Sequence, residues 1–536
     1  MNKPYPLYTL PVVTSLKQMV ESQVADNPQR IAFRFREGKG IKEKTIKEFL
    51  DDINAFGTWL HHQGIIDAHI ALIAPNSYAW IVIYFAVISS GNLIVPIDKD
   101  LSFVEKKQLI LHSHSRYVFA DAKAASVLAK DCDLGEVISM AEFPTIIEDG
   151  NSYIVSGDKR FLEYAQKTDI PATIVYTSGT TGDKKGVVLT QNNILADINN
   201  GCRNFAPEGP SLSVLPYHHM FGLVVALMML INYRSTVFIN TGLKYLMQDF
   251  QLSRPQTTMM VPLHIETIYR QIIQKAKSDQ KYTKLKLGMI LSASLYYLGI
   301  DVRKKIMKEV RAVFGGELEY ILVGGAALNP FYEKAFRAFG IDLITAYGAT
   351  ECSPGIAVNR NFYHKDGSVG LPIEHCEVRI ANDGEVLVRG ENVFSGYYCD
   401  QEATEASLID GWYHSGDLGY LDKDGFLFLT GRKKNLIILS NGENISPEWL
   451  ENRISAIEGV LEVVVFEEEN SIVAEIYADE EHKRCASYFQ EKIDELNKKL
   501  SPSLRIRNIR MRDEEFPKNS SKKILRHNIV RRNDHA

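Results

Sequence analysis

Eleven residues, Tyr176-Thr177-Ser178-Gly179-Thr180-Thr181-Gly182-Asp183-Lys184-Lys185-Gly186, gather three glycines, four aliphatic hydroxyls and two lysines. Glycines let the backbone turn tightly and aim successive N–H groups at an anion, while hydroxyls and ammonium groups add donors and charge. That set suits a polyphosphate. It lacks the GxxxxGK[ST] spacing of a Walker loop, which disfavours an ordinary P-loop NTPase. Taken alone, the stretch also reads as a polar surface loop.

Other segments carry matching chemistry. Ala346-Tyr347-Gly348-Ala349-Thr350-Glu351 sets an aromatic ring that can stack on a base beside a hydroxyl that can reach a phosphate. Its carboxylate can hold a hard cation through oxygen. Gly324-Gly325-Ala326-Ala327 ends an apolar run and lets a flat ring approach the backbone. In Trp412-Tyr413-His414-Ser415-Gly416-Asp417 the carboxylate can accept two ribose hydroxyls. Two basic stretches follow, Gly431-Arg432-Lys433-Lys434 and Pro517-Lys518-Asn519-Ser520-Ser521-Lys522-Lys523-Ile524-Leu525-Arg526. The second, with Arg531 and Arg532, has the alternative reading of a basic nucleic-acid tail.

The elements that must position these residues are readable in the first third. Thr45 and Glu48 form a capping-box signature, and Ile46, Phe49, Leu50, Ile53, Phe56 and Leu60 recur at helical spacing up to Gly64. An apolar strand over 70–74 follows, then a helix over 79–90 and a strand over 93–97. A second capped helix starts after Ser102, with Glu105 three residues on, and leads to a strand over 117–120. Helices alternating with short apolar strands predict a parallel sheet with helices packed on it. The glycine-rich loop falls between strands at 172–175 and 187–190. Beyond 432 the texture changes: Ser446-Pro447 reads as N-cap and first helical residue, followed by two strands around Asn470, a helix near 485–500 and a strand near 504–511. Residues 431–435 form a polar hinge before this small α+β unit. No internal repeat is evident.

Bulk properties narrow the class. A chain of 536 residues with 45% hydrophobic and 24% charged residues is a globular protein with more than one domain. A net charge of −5 gives no global field towards nucleic acid or anionic membrane. Six cysteines without a CxxC pair argue against a zinc site or disulfide framework and suit a reducing cytosol, so a cytoplasmic location is expected. The N-terminal residues have no long apolar core followed by a cleavage site. The apolar run from Ala79 to Ile97 is interrupted by Ser89, Ser90, Gly91 and Asn92, so a buried helix, turn and strand are expected there, with no integral membrane span.

In this order and spacing the motifs resemble the adenylate-forming superfamily: acyl-CoA synthetases, peptide-synthetase adenylation domains and firefly luciferase. The resemblance covers nearly the whole chain, by motif from the 170s to the 520s and by texture before that. It implies a large N-terminal multi-subdomain α/β body with parallel sheets over 1–431. A small mobile C-terminal α+β domain over 432–536 completes the fold. The implied reaction activates a carboxylic acid with ATP and Mg2+ to an acyl-AMP, then passes the acyl group to the thiol of coenzyme A. A phosphopantetheinyl carrier protein is the alternative acceptor. A catalytically silent nucleotide-binding regulator on the same fold is a third reading, opposed by the presence of Glu351, Asp417, Arg432 and Lys523.

Residue by residue, the resemblance gives the β- and γ-phosphates to the loop from Thr177 to Gly186, with Thr177, Ser178, Gly179, Thr180, Thr181, Gly182 and Lys185 as contacts. It places Gly325, Ala326 and Tyr347 on adenine, Thr350 on the α-phosphate, Glu351 on magnesium, and Asp417 with Arg432 on the ribose. Lys523 bridges the substrate carboxylate and the α-phosphate, Lys434 is the hinge, and Gly442 lines the thiol tunnel. Within Leu215-Pro216-Tyr217-His218-His219-Met220-Phe221-Gly222, the residue between the acyl and thiol tunnels falls on His219, with His218 the neighbouring choice.

Four departures from the family pattern stand out: Lys184 where proline is usual, Lys522 where glycine precedes the late lysine, Asn435 in place of an acid, and Trp449 in place of glutamate. None removes a needed charge. After His219 come Met220, Phe221, Gly222, Leu223, Val224 and Val225, without the aspartate with which amino-acid-activating relatives hold an α-ammonium. An apolar tail is therefore expected on the substrate. Glu351-Cys352-Ser353-Pro354, residues 367–372 and residues 439–447 look most like medium- to long-chain fatty acyl-CoA synthetases.

Overall fold

The computed structural model describes residues 7–38, 40–178, 184–438, 444–483, 485–518 and 524–526. The helix Ile46–His62 begins where the capping box puts it. Glu48 N–H donates to Thr45 Oγ1 at 3.1 Å, and Thr45 N–H donates back to Glu48 Oε2 at 2.8 Å. Its apolar stripe, Ile46, Phe49, Ile53, Phe56 and Leu60, is fully buried. Ser102 and Glu105 cap the helix Phe103–His112 in the same way.

These helices cover a seven-stranded sheet ordered Gly396–Tyr397, Lys184–Thr190, Pro171–Ser178, Leu93–Pro96, His69–Ile73, Tyr117–Ala120, Glu136–Ser139. From Pro171–Ser178 to Glu136–Ser139 every neighbour is parallel, as the alternation predicts. The run from Ala79 to Ile97 is a helix, Tyr78–Ser89, buried on all sides, then a turn and the strand Leu93–Pro96. Asn92 holds the turn: its Nδ2 donates to Ile65 O at 2.9 Å and its Oδ1 accepts from Ala68 N–H at 2.9 Å. Among the described residues no helix is long and apolar enough to cross a membrane.

A second, nine-stranded sheet contains a parallel centre of Asp342–Gly348, Tyr320–Val323, Thr257–Met260, Ser211–Ser213, Val237–Ile239 and Ile31–Glu37, with antiparallel strands at both edges. A third sheet is antiparallel throughout: Cys376–Ile380, Glu385–Gly390, Trp412–Leu421 and Leu408–Ile409, with Leu427–Arg432 paired to Trp412–Leu421.

The C-terminal unit has its own apolar cluster. The helices Pro447–Ile454 and Ala486–Asn497 bury Leu450, Ile454, Phe489 and Ile493 against Val460–Glu468, Ser471–Ala478 and Ile506–Arg512. Ser446 and Pro447 occupy the expected cap and first helical positions, but the Ser446 hydroxyl donates to Glu448 Oε2 at 3.0 Å and caps no backbone N–H. Ser446 packs closely on Gly431, where an added Cβ would lie 2.0 Å from its Oγ.

Polar contacts join this unit to the body. Asn329 Oδ1 caps the helix Pro330–Phe339 by accepting from Phe331 N–H at 2.9 Å. Its Nδ2 donates to Asn452 O at 2.8 Å and Ser455 Oγ at 3.2 Å. Lys277 lies 3.6 Å from Glu458 and 3.4 Å from Glu481.

Candidate active site

The glycine-rich segment begins and ends in two antiparallel strands. Pro171–Ser178 pairs with Lys184–Thr190 in the register Tyr176↔Gly186, Thr177↔Lys185 and Ser178↔Lys184. Both strands run further towards the glycines than the apolar residues alone indicate, because Tyr, Thr and Ser sustain the ladder. Gly179, Thr180, Thr181 and Gly182 lie outside the described residues, as do Gly442 and Lys523. Thr177 and Ser178 lead into the glycine-rich stretch. On the other leg, Lys184 Nζ reaches Glu105 Oε1 at 3.0 Å. Glu105 also accepts from Ser102, and these donors, Lys184 foremost, hold its carboxyl down at about 2. The lysine that replaces proline thus ties the hairpin stem to a capped helix.

Lys185 Nζ sits 4.8 Å over the ring of Tyr397, whose hydroxyl donates to Glu351 Oε1 at 2.8 Å. One aromatic residue therefore joins the phosphate-loop lysine to the expected cation ligand. Tyr397 escaped the sequence reading. It lies 46 residues from Glu351 in a two-residue edge strand with no periodic signal.

Tyr347 ends the strand Asp342–Gly348, next to Tyr320–Val323 with its trailing Gly324–Ala327 segment. Ligands in sheets of this kind collect at the carboxyl ends of the strands. Gly325 and Ala326 are exposed there, and Gly325 has φ of 85°, a conformation that favours glycine. A Cβ at Gly324 would lie 3.2 Å from Phe221 Cζ and 3.4 Å from Ala346 O, so the histidine segment meets the aromatic motif at this point.

The Tyr347 hydroxyl donates to Asp417 Oδ2 at 2.7 Å, and Arg432 Nε donates to Asp417 Oδ1 at 2.7 Å. Asp417 and Arg432 face each other across neighbouring strands. A carboxylate offers about four lone-pair sites, so two remain for further donors. Lys434 follows in the short helix Lys433–Asn435 and lines a cleft with Ser415, Gly416, Arg432 and Lys433. Burial, then the Arg432 charge, push its ammonium down to about 8; Lys185 adds to the effect and Asp417 opposes it. Lys185 and Lys434 lie near the Arg432–Asp417 ion pair and leave the cleft with an excess of positive charge. That is the field a polyphosphate would satisfy, so these residues fit a nucleotide.

The rings of His218 and His219 lie 4.2 Å apart centre to centre, tilted by 52°. His218 Nε2 is 3.6 Å from Asp98 Oδ2, while burial holds the imidazole below its ordinary value. Asn76 clamps the same turn, donating to Leu215 O at 2.8 Å and accepting from Tyr217 N–H at 3.0 Å. Asn76 and Asp98 were also missed. Their signal is a polar residue just beyond a short apolar strand, where a parallel sheet presents its site.

The profile of the AMP-binding enzyme family matches residues 20–398. The chain belongs to that family. Among curated relatives of this AMP-binding enzyme, long-chain-fatty-acid–CoA ligase FadD15 of Mycobacterium bovis is 29% identical over 476 residues, covering 83% of this chain and 79% of that one. Long chain acyl-CoA synthetase 2 of Arabidopsis thaliana is 28% identical, covering 79% and 71% respectively. In architecture, this AMP-binding enzyme resembles the anthranilate CoA ligase AuaEII solved with anthranoyl-AMP. The TM-score is 0.80 at 18% identity, over 98% of both chains. The multi-sheet α/β body with its small C-terminal sheet domain is therefore the fold of adenylate-forming enzymes.

Proposed function

We propose that the protein is an acid–thiol ligase that activates an apolar carboxylic acid, a medium- to long-chain fatty acid, as its acyl-AMP and transfers the acyl group to coenzyme A. The observation that carries this reading is the linked group of Tyr347, Asp417 and Arg432 beside Lys185 and Lys434. Asp417 takes the ribose hydroxyls through its remaining lone pairs, and Tyr347 offers its ring to adenine. Lys185 and Lys434, with the glycine-rich loop, receive the phosphates, while Arg432 stays with Asp417 at the ribose. Glu351, backed by Tyr397, would hold Mg2+, an ion that prefers one or two carboxylates plus phosphates. Bound there, the ion neutralises charge on the phosphates.

In the first step the substrate carboxylate oxygen bonds to the α-phosphorus and the bond to pyrophosphate breaks. Charge builds on phosphate oxygens, so prepositioned cations are the main catalytic aid. In the second step the thiol sulfur bonds to the acyl carbon, its proton is lost to solvent, and AMP leaves. Domain boundaries at 1–431 and 432–536, Lys523 on the first step and Gly442 on the second belong to the same proposal. The 27–29% identity to long-chain relatives and the acid-free, buried stretch Leu223–Val225 support the fatty substrate.

The test is ATP–pyrophosphate exchange across fatty and aryl acids, followed by thioester formation with coenzyme A and with a carrier protein. Exchange stimulated by fatty acids and a CoA thioester product is the expected outcome. A folded protein with no exchange on any acid would overturn the reading.

A further inference from the structure

The helix Tyr282–Tyr297 packs one face inward: Leu285 and Met289 join the core of the nine-stranded sheet's helices, and Ser292 Oγ donates to Ala338 O at 2.7 Å. Its other face is also apolar, and it has no cover. Leu287, Ile290 and Leu291, at helical spacing, are 63%, 57% and 53% exposed. Tyr297, Leu298 and Ile300 extend the stripe at 72%, 75% and 53%. Scattered exposed apolar residues are ordinary, but four on this helix and two just beyond its end form a patch of the kind that marks an interaction surface.

The charge around the patch is predominantly basic, although Lys281 and Lys284 pair with Glu309, and Lys304 with Glu319 at 2.6 Å. Residues 281–308 hold seven basic residues against one acidic, Asp301, in a chain whose net charge is −5. Of the seven, Lys281, Lys284, Lys286, Lys304, Lys305 and Lys308 are exposed. Lys281 and Lys284 lie 3.3 and 3.5 Å from Glu309, which brings the helix Lys308–Val313, and with it Lys308, alongside the first turns of the apolar helix.

We propose that this face docks the enzyme onto an anionic lipid surface, the apolar stripe entering the acyl boundary and the lysine rim meeting the headgroups. Sixteen residues span about 24 Å as a helix, short of the ~30 Å hydrocarbon core, so the element lies in the interfacial plane and does not cross. The charge pattern selects lipid over a second copy of the chain. A two-fold contact would set each lysine rim against its equivalent, and lysine is depleted from protein–protein interfaces. The surface is independent of which acid the enzyme activates.

The test is co-sedimentation of the full chain with phosphatidylcholine vesicles, with and without phosphatidylglycerol. The variants are Leu291→Glu with Leu298→Glu, and Lys284→Glu with Lys286→Glu; all four positions are exposed, so the fold tolerates the changes. The wild-type chain is expected to bind anionic vesicles at least about ten-fold more strongly than neutral ones, and each double variant to lose about ten-fold or more. Exchange with a short, water-soluble acid is expected to be unaltered in both, which separates this proposal from the enzymatic one. Equal binding to both vesicle types, no binding, or full binding by the variants would sink it. A wild-type dimer that the leucine variant dissociates would overturn it as well, in favour of a second copy on this face.

Discussion

Tyr347 and Asp417 stand 70 residues apart on different sheets, yet the phenol donates to the carboxylate at 2.7 Å, opposite the oxygen held by Arg432. The ring proposed to stack on the base and the carboxylate proposed to take the sugar are thereby set in one frame. A hydrogen bond to a charged partner contributes about 1.5–3 kcal/mol. Tyr347→Phe keeps the ring and loses that bond, so KM for ATP should rise about ten-fold. Asp417→Ala forfeits the ribose bonds as well and leaves Arg432 unpaired; a larger rise is expected, with the fold retained by circular dichroism. An unchanged KM and turnover in Asp417→Ala would remove that residue from the site.

Tyr397 supports Glu351 and Lys185 together, and substitutions can separate the two. Tyr397→Phe retains the ring face under Lys185 and drops the hydroxyl, so the magnesium midpoint of exchange should move several-fold with little change in KM for ATP. Tyr397→Ala removes both supports and should shift both quantities. Magnesium titrations at fixed ATP distinguish these outcomes.

Lys434 carries a pH signature. Its folded value, about 8, lies below the ordinary 10.5. The unfolded chain therefore binds more protons between pH 8 and 10.5, and the contribution of this group to stability rises with pH across that window. A bound polyphosphate favours the charged ammonium, so nucleotide binding near pH 8 should take up protons, and affinity should fall as pH climbs above it. Calorimetry in two buffers of different ionisation enthalpy measures the uptake. Lys434→Met, which spares the backbone hinge, should abolish it.

The two half-reactions should come apart. Lys523→Ala is expected to abolish acyl-AMP formation from ATP yet still convert supplied acyl-AMP to thioester. Gly442→Leu should do the reverse, because a large side chain obstructs a narrow thiol arm. Equal loss of both steps in Lys523→Ala would refute the division of labour.

Much of this was legible from local signals. The capping boxes at Thr45 and Ser102 announce their helices because the donors they satisfy lie three residues away, and the breaks at Ser90 and Asn92 distinguish a buried helix from a span. The contacts that organise the site are different in kind. Tyr397 with Glu351, Lys184 with Glu105, and Asn329 with Asn452 join residues 46, 79 and 123 positions apart. No periodicity or turn chemistry encodes such pairs; they exist only once three sheets have met. Of the antiparallel sheet bearing Asp417, only short strands and glycine turns such as Asp424-Gly425 were legible; its pairing was not, since a strand such as Trp412–Leu421 lacks the solid apolar run of the parallel ones.

Asn329 works as a swivel. Its carbonyl end is fixed to the start of its own helix, while its amide end grips Asn452 and Ser455 on the C-terminal unit. Releasing the grip leaves the cap untouched and hands the freed amide to water, an exchange worth only about 0.5–1.5 kcal/mol for each of its two bonds. Were the small domain to rotate between the half-reactions, as proposed, this joint would register it against the body and still break without disturbing the body's core.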